Sequence, residues 1–254
     1  MARCKVGVQF WPQHAEMAPM REAWEAADAM GVDSLWVWDH FYPLMGEAEG
    51  KHFEGWTTLA AMAATTSNAM LGTLVTGIHY RNVDLLADMA RTVDHLSNGR
   101  AYLGIGSGWF EKDYDEYGFE FGTAGSRLRD LDAQIPRLKA RLAKLNPAPI
   151  GSLPIMIGGG GEKVTLRIVA EQADAWNSFG PPVQYAKKNA ILDEWCEKVG
   201  RDPAEIERTV ALMQPAEIDQ FEYFLDAGAT HIILGMPQPF DLAPVQRLLD
   251  LAKG

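Results

Sequence analysis

Pro154-Ile155-Met156-Ile157-Gly158-Gly159-Gly160-Gly161-Glu162-Lys163 is a short apolar run that breaks into four glycines and leads into a helical pattern starting near Val164. A short apolar run bounded by turn residues reads as a buried strand, and the pattern after it as the helix that follows that strand. Glycines at such a junction let the backbone approach an anion, and the helix start aims free N–H groups and a partial positive charge at it. Each glycine costs backbone entropy on folding, so four exceed what a tight turn requires. The stretch reads as a phosphate site built by Gly158, Gly159, Gly160 and Gly161, with Lys163 adding a full charge. A turn that merely needs positive φ is the simpler alternative.

Working outward, the same strand-then-helix unit recurs on both sides. Val6-Gly7-Val8-Gln9-Phe10 precedes a helix opened by Pro19 and stopped at Gly31. Ser34-Leu35-Trp36-Val37-Trp38 ends at Asp39-His40 and precedes a helix at 56–64. Residues 71–76 precede a helix with Leu85, Leu86, Met89, Val93 and Leu96 on one face, ended by Asn98-Gly99. Residues 101–105 close in Gly106-Ser107-Gly108, and a long helix follows at 127–145 with Pro136 as its kink. Beyond the glycine stretch come strands at 175–177, 209–213 and 231–234, with a final helix at 242–251. Strands alternating with helices predict a parallel sheet. Eight such units in 254 residues predict an α/β fold, a (β/α)8 TIM barrel that fills 1–254 as one domain. Strands six and seven carry the weakest signal, which leaves an open doubly wound sheet as the alternative on count alone.

With 34 acidic against 23 basic residues, the formal net charge is −11, which disfavours nucleic acid and membrane surfaces as partners. It leaves room for an anionic cofactor, because a local ring of backbone N–H groups holds a phosphate on an acidic protein. Cys4 and Cys196 have no metal or disulfide spacing, and the opening Met-Ala-Arg-Cys-Lys-Val leads into too short an apolar run for a signal or a span. The expected partner is a small-molecule substrate and the expected compartment the cytoplasm.

A barrel of this kind carries its active site at the C-terminal ends of its strands. The residues there are rich in aromatics and titratable groups, as a pocket for a flat aromatic cofactor requires. Asp39 and His40 end strand two, and such a pair is able to bond a cofactor edge and move protons. The plainer reading is an Asp capping the next loop and a His packed among Trp36, Trp38 and Phe41. The six histidines show no metal-ligand spacing. Ser107 sits between glycines without the nucleophile-elbow pattern, so serine hydrolysis is not indicated. Ser107 and Trp109, just past strand four, are expected beside the cofactor.

Several strings resemble luciferase-like oxidoreductases. They are Trp38-Asp39-His40-Phe41; Leu71-Gly72-Thr73-Leu74-Val75-Thr76 with Tyr80-Arg81-Asn82; Leu96-Ser97-Asn98-Gly99-Arg100; Leu103-Gly104-Ile105-Gly106-Ser107-Gly108-Trp109-Phe110; and the glycine stretch itself. They stand in the family's order over most of the chain. The Asp-His-Phe after strand two resembles the branch that uses the deazaflavin coenzyme F420. The resemblance implies a luciferase-like barrel that transfers hydride between F420 and a small organic molecule. It puts Asp39 and His40 beside the deazaflavin ring, with His40 as acid or base, Thr76 at the ring's polar edge and the four glycines on the cofactor phosphate. It also places a non-prolyl cis peptide near Leu74-Val75, behind the ring. A homodimer is common in the family, although no residue here establishes one. FMN in a luciferase-like monooxygenase is the first alternative, and a non-catalytic deazaflavin- or flavin-binding protein the second. Relatives that oxidise a sugar phosphate carry a glutamate near position 109 where Trp109 stands here. The insertion loops expected at 145–154 and 213–218 are shortened.

Overall fold

Strands covered on both faces should be apolar on both, and the burial pattern of this chain follows that rule. The computed structural model describes residues 2–254. In order it contains β1 (Lys5–Phe10), α1 (Met17–Met30), β2 (Ser34–Asp39), α2 (Gly55–Thr65), β3 (Met70–Gly77), α3 (Val83–Leu96), β4 (Ala101–Gly106), α4 (Glu111–Tyr117), α5 (Ala124–Leu142), β5 (Ile155–Gly158), α6 (Thr165–Gln172), β6 (Ala175–Phe179), α7 (Pro182–Val199), β7 (Glu207–Leu212), α8 (Phe221–Asp226), β8 (His231–Met236) and α9 (Ala243–Lys253). All neighbouring strands pair in parallel, and β1 also pairs with β8, so the sheet is a closed (β/α)8 barrel rather than an open one.

The two weak strands run longer than their apolar content suggests. β6 and β7 stay in register from Ala175 opposite Glu207 to Phe179 opposite Ala211, across the polar Asn177, Ser178, Arg208 and Thr209. The helix at 111–117 was not foreseen. Its sequence, Glu-Lys-Asp-Tyr-Asp-Glu-Tyr, has no apolar stripe, and it is fastened by two buried side chains, Asp113 and Tyr114. α5 starts earlier than expected, at Ala124, because Thr123 and Ser126 form a capping box; Pro136 lies inside it.

Alternation sorts the side chains into two cores. Val6, Val8, Leu35, Val37, Leu103 and Ile105 pack outward against the helices. Trp36, Leu74, Tyr102, Met156 and Ile233 fill the barrel interior with Ala175 and Ala211. β3 breaks this regularity: its register with β4 shifts between Gly72 and Thr76, and the Leu74–Val75 peptide is cis. Gly104 makes the bulge sterically feasible, since a Cβ there would stand 1.8 Å from the Thr73 carbonyl oxygen. No described helix is long and apolar enough to cross a membrane.

Candidate active site

The interior positions of the strands run out at their C-terminal ends, and there they enclose a cavity of about 410 Å³. Gln9, Trp38, Gly106 and Gly158 each supply the last inward-facing position of a strand, with Leu74 and Asn177 lower in theirs. His40, Tyr80, Trp109, Phe179 and Met213 line it from the loops and strand ends just above. A second cleft, of about 580 Å³, lies among Lys5, Asp174, Asp193, Glu207 and Arg208. It is wide open, and several of its charges are already paired (Lys5 with Glu207, Arg208 with Asp193), so it lacks the enclosed apolar walls of a cofactor site.

One wall of the cavity is a platform formed by Val75. A Cβ added at Gly158 would meet the two Val75 methyl carbons at 3.0 and 3.1 Å, and one at Gly106 would meet Cγ2 at 2.9 Å. Glycine at both positions is what lets Val75 stand forward. Buried Gln9 donates through Nε2 to the Leu74 carbonyl at 2.7 Å, holding the peptide behind that platform from across the barrel. The turn that follows is fixed from two sides: Gly159 donates to the Asn177 carbonyl at 3.0 Å and accepts from Trp176 Nε1 at 2.7 Å. Its φ of +128° is one that only glycine adopts without strain.

His40 is the titratable group that faces the cavity with a free nitrogen. Its Nδ1 donates to Asp113 Oδ2 at 2.6 Å, and the Tyr80 hydroxyl donates to the same oxygen at 2.8 Å. The backbone N–H groups of Phe41 and Tyr42 donate to Asp113 Oδ1 at 3.1 and 3.2 Å. Four donors on one fully buried carboxylate fix the imidazole ring and its tautomer. Nε2 then has no hydrogen-bond partner among the described residues, while His40 remains 8% exposed on the cavity wall. Burial, then the charge of Asp113, pushes the Tyr80 hydroxyl far above its ordinary range, so it stays a donor. Trp38, stacked on Trp11 at 5.2 Å, donates through Nε1 to His52 Nε2 at 3.0 Å. Burial and then the neighbouring His40 lower the His52 pKa to about 4.

Of the residues singled out in the sequence, His40, Leu74, Val75, Ser107, Trp109, Gly158 and Gly159 line this cavity. Asp39 does not. Trp38 points inward, so Asp39 points outward, fully buried and bonded through both oxygens by Arg81. Thr76 does not line it either, for the same reason. It stands in register with Asp39 and Ile105, both facing the helices, and its hydroxyl accepts from Trp56 Nε1 at 2.9 Å and donates to Thr73. Gly160, Gly161 and exposed Lys163 lie on the rim beyond the cavity. Gly160 sits beneath Lys188 of α7, whose Nζ would be 2.5 Å from a Cβ there. Lys188, Asp113 and Gln9 are the residues that sequence reasoning missed, whereas Tyr80 stands in a strand-end string to which no role was given. For Asp113 the one available signal was a carboxylate a few residues past a strand end; the others gave none. Among the described residues no group of three or more His, Cys, Asp and Glu side chains is placed to hold a metal.

A closed parallel barrel with a bulged third strand and an apolar cavity at the strand ends defines the class of fold, a (β/α)8 barrel with its candidate site at the C-terminal face. The family model for luciferase-like monooxygenases matches residues 4–216, and the chain belongs to that family. Among relatives in sequence, 5,10-methylenetetrahydromethanopterin reductase of Methanolobus tindarius is 25% identical over 214 residues, covering 79% of this chain and 62% of that protein. An uncharacterized protein of Mycobacterium tuberculosis is 26% identical over 196 residues, covering 72% of this chain and 69% of that one. Among solved structures, an F420-dependent secondary alcohol dehydrogenase in complex with an F420-acetone adduct superposes with a TM-score of 0.87 at 15% identity, covering 99% of both chains. The FMN-bound oxygenating constituent of 3,6-diketocamphane monooxygenase, from the CAM plasmid of Pseudomonas putida, gives 0.74 at 12% identity, covering 100% of this chain and 97% of that one. At such identities the structural likenesses establish the shared fold.

Proposed function

We propose that this chain is an F420-dependent oxidoreductase that transfers hydride between the deazaflavin and a small organic substrate. The observation that carries the reading is His40, held by Asp113 through one nitrogen and open to an apolar cavity through the other. The residues fit a deazaflavin. Val75 offers a flat apolar backing, and Gly106 and Gly158 leave a cradle that a Cβ would fill. The Gly159–Gly161 turn with Lys188 above it suits a phosphate. Bound F420 supplies two-electron hydride chemistry at C5 of its ring and reacts poorly with oxygen.

The chain's own work is orientation and proton transfer. Gln9 and the Gly106–Gly158 cradle set the platform, Trp38 and Leu44 add apolar lining, and His40 Nε2 gives or takes the proton of a substrate hydroxyl. The reductase relative and the F420-dependent alcohol dehydrogenase neighbour support the deazaflavin; the FMN-bound neighbour keeps a flavin monooxygenase as the second reading.

Titration of the purified protein with F420 and separately with FMN, following quenching of Trp38 and Trp109 at the cavity, tests this. Tight F420 binding with weak FMN binding supports the proposal, the reverse preference moves it to the monooxygenase, and binding of neither removes the cofactor assignment.

A further inference from the structure

We propose that the substrate is an uncharged, predominantly apolar molecule bearing a carbonyl or hydroxyl group, a ketone, enone or alcohol; this rests on the oxidoreductase reading above. Among the described residues, none of those lining the cavity is Asp, Glu, Lys or Arg. His40 and Tyr80 are its titratable members, and the Tyr80 hydroxyl is already committed to Asp113. The amide nitrogens of Gln9 and Asn177 are also engaged, with the Leu74 carbonyl and with Thr209 Oγ1. Besides the neutral Ser107 hydroxyl and the amide oxygens of Gln9 and Asn177, His40 Nε2 is the one open titratable atom left to meet a substrate's polar group.

The walls around it are Trp38, Leu44, Trp109, Phe179 and Met213. Trp109 and Phe179, at the ends of β4 and β6, are 62% and 64% exposed and stand together on this cavity, so their apolar faces are open to a bound molecule. A carboxylate or phosphate carried into this space would leave water without meeting a cation, a cost that burial of an unpaired charge always exacts. The net charge of −11 opposes its approach as well. The cation nearest the glycine turn, Lys188, stands over Gly160 on the rim, outside the cavity lining.

The test compares cyclohexanone with 4-oxocyclohexanecarboxylate, two probes that differ by one charge. Ligand-observed NMR measures their affinities for the protein alone and with F420 bound. The ketone is expected to bind at least about tenfold more tightly than its carboxylate, the discrimination an uncompensated charge imposes. Equal or tighter binding of the carboxylate overturns the inference. In Met213→Arg, checked for an unchanged melting curve, the carboxylate should gain about tenfold relative to the ketone; no gain overturns the assignment of this wall to the substrate. Failure of F420 to bind while the ketone preference persists overturns the function reading and supports the substrate class. Binding of F420 with no ketone preference overturns the substrate class alone.

Discussion

At the C-terminal ends of the strands, His40 donates to Asp113 at 2.6 Å and Tyr80 donates to the same oxygen at 2.8 Å. At the N-terminal ends, His231 donates through Nδ1 to Glu207 at 3.1 Å, and Tyr102 donates to the other Glu207 oxygen at 2.7 Å. The two ends thus carry the same three chemical groups. They differ in the second imidazole nitrogen. His231 Nε2 accepts from Ser34 at 2.8 Å, and Ser34 in turn accepts from Trp36 Nε1 at 2.6 Å, while Lys5 donates to Glu207 at 2.9 Å. Every bond at the bottom is made within the protein, and His231 is 1% exposed. A Cβ at Gly7 would come within 2.4 Å of Ser34 Oγ, so the strand beside the network leaves it no slack. A histidine–carboxylate–tyrosine set does chemistry where one nitrogen is left open, and closes a barrel where none is.

The largest separation of the two ends comes from removing each histidine. His40→Ala should lower turnover by about 10²- to 10⁴-fold, the usual contribution of a positioned acid or base, with F420 binding little changed and, because it strips one donor from buried Asp113, a stability loss of about 1–2 kcal/mol. His231→Ala strips a partner from buried Ser34 and from Glu207 and should cost roughly 2–4 kcal/mol of stability with turnover unchanged below the melting transition. Turnover assays and urea unfolding on both variants check the pair. A His231 variant that folds normally and loses turnover would break the distinction.

That distinction was only half legible in the sequence. The strands showed because their runs are apolar, and His40 showed because it follows one of them. The burial of β2 on both faces concealed the parity that turns Trp38 inward and Asp39 outward toward Arg81, 42 residues away. Thr76 faces the helices because a bulge two residues earlier resets the alternation of β3, which the segment's own pattern does not announce. Asp113 is one of four acidic residues in the seven of α4, and nothing local separates it from Asp115. What distinguishes it is contact with His40 across 73 positions, a property of the closed barrel rather than of the segment. Lys188 lies mid-helix in α7, and only the crossing of that helix over the β5 turn brings it to Gly160.

Acid should separate the ends in sequence. The His52 pKa, about 4 in the fold, lies below the usual 6.5, so the unfolded chain binds the proton more tightly. Stability is then intact above pH 6.5 and falls by up to about 3 kcal/mol as the pH drops to 4. The same protonation removes the acceptor for Trp38 Nε1 on the cavity wall. Glu207 is held at about 2 despite burial, which would raise it, because His231, Tyr102 and Lys5 donate to its carboxylate. Its contribution, roughly 3 kcal/mol, is present above pH 4.5 and is lost as the pH falls toward 2. Urea midpoints between pH 7 and pH 2.5 should show two steps. His52→Gln, which keeps an acceptor for Trp38, should erase the first and leave the second; Glu207→Gln should erase the second alone.

The smallest effect, and the finest test of the comparison, lies in the tyrosines. Burial, followed by the adjacent carboxylate charge, pushes both hydroxyls far above their ordinary range, so each acts as a fixed donor. Tyr102→Phe and Tyr80→Phe each remove one hydrogen bond to a carboxylate and should cost about 1–2 kcal/mol in unfolding free energy. Their kinetic consequences should differ. Asp113 without Tyr80 keeps three donors but orients the His40 ring less strictly, and kcat should fall about three- to tenfold with F420 affinity retained. Glu207 without Tyr102 still binds His231 and Lys5, 3.1 and 2.9 Å away, and no reacting group depends on its position. Equal losses of kcat in the two variants would mean that the Tyr80 effect is transmitted through stability, and Asp113 would then be a structural tie like Glu207 rather than the residue that aims His40.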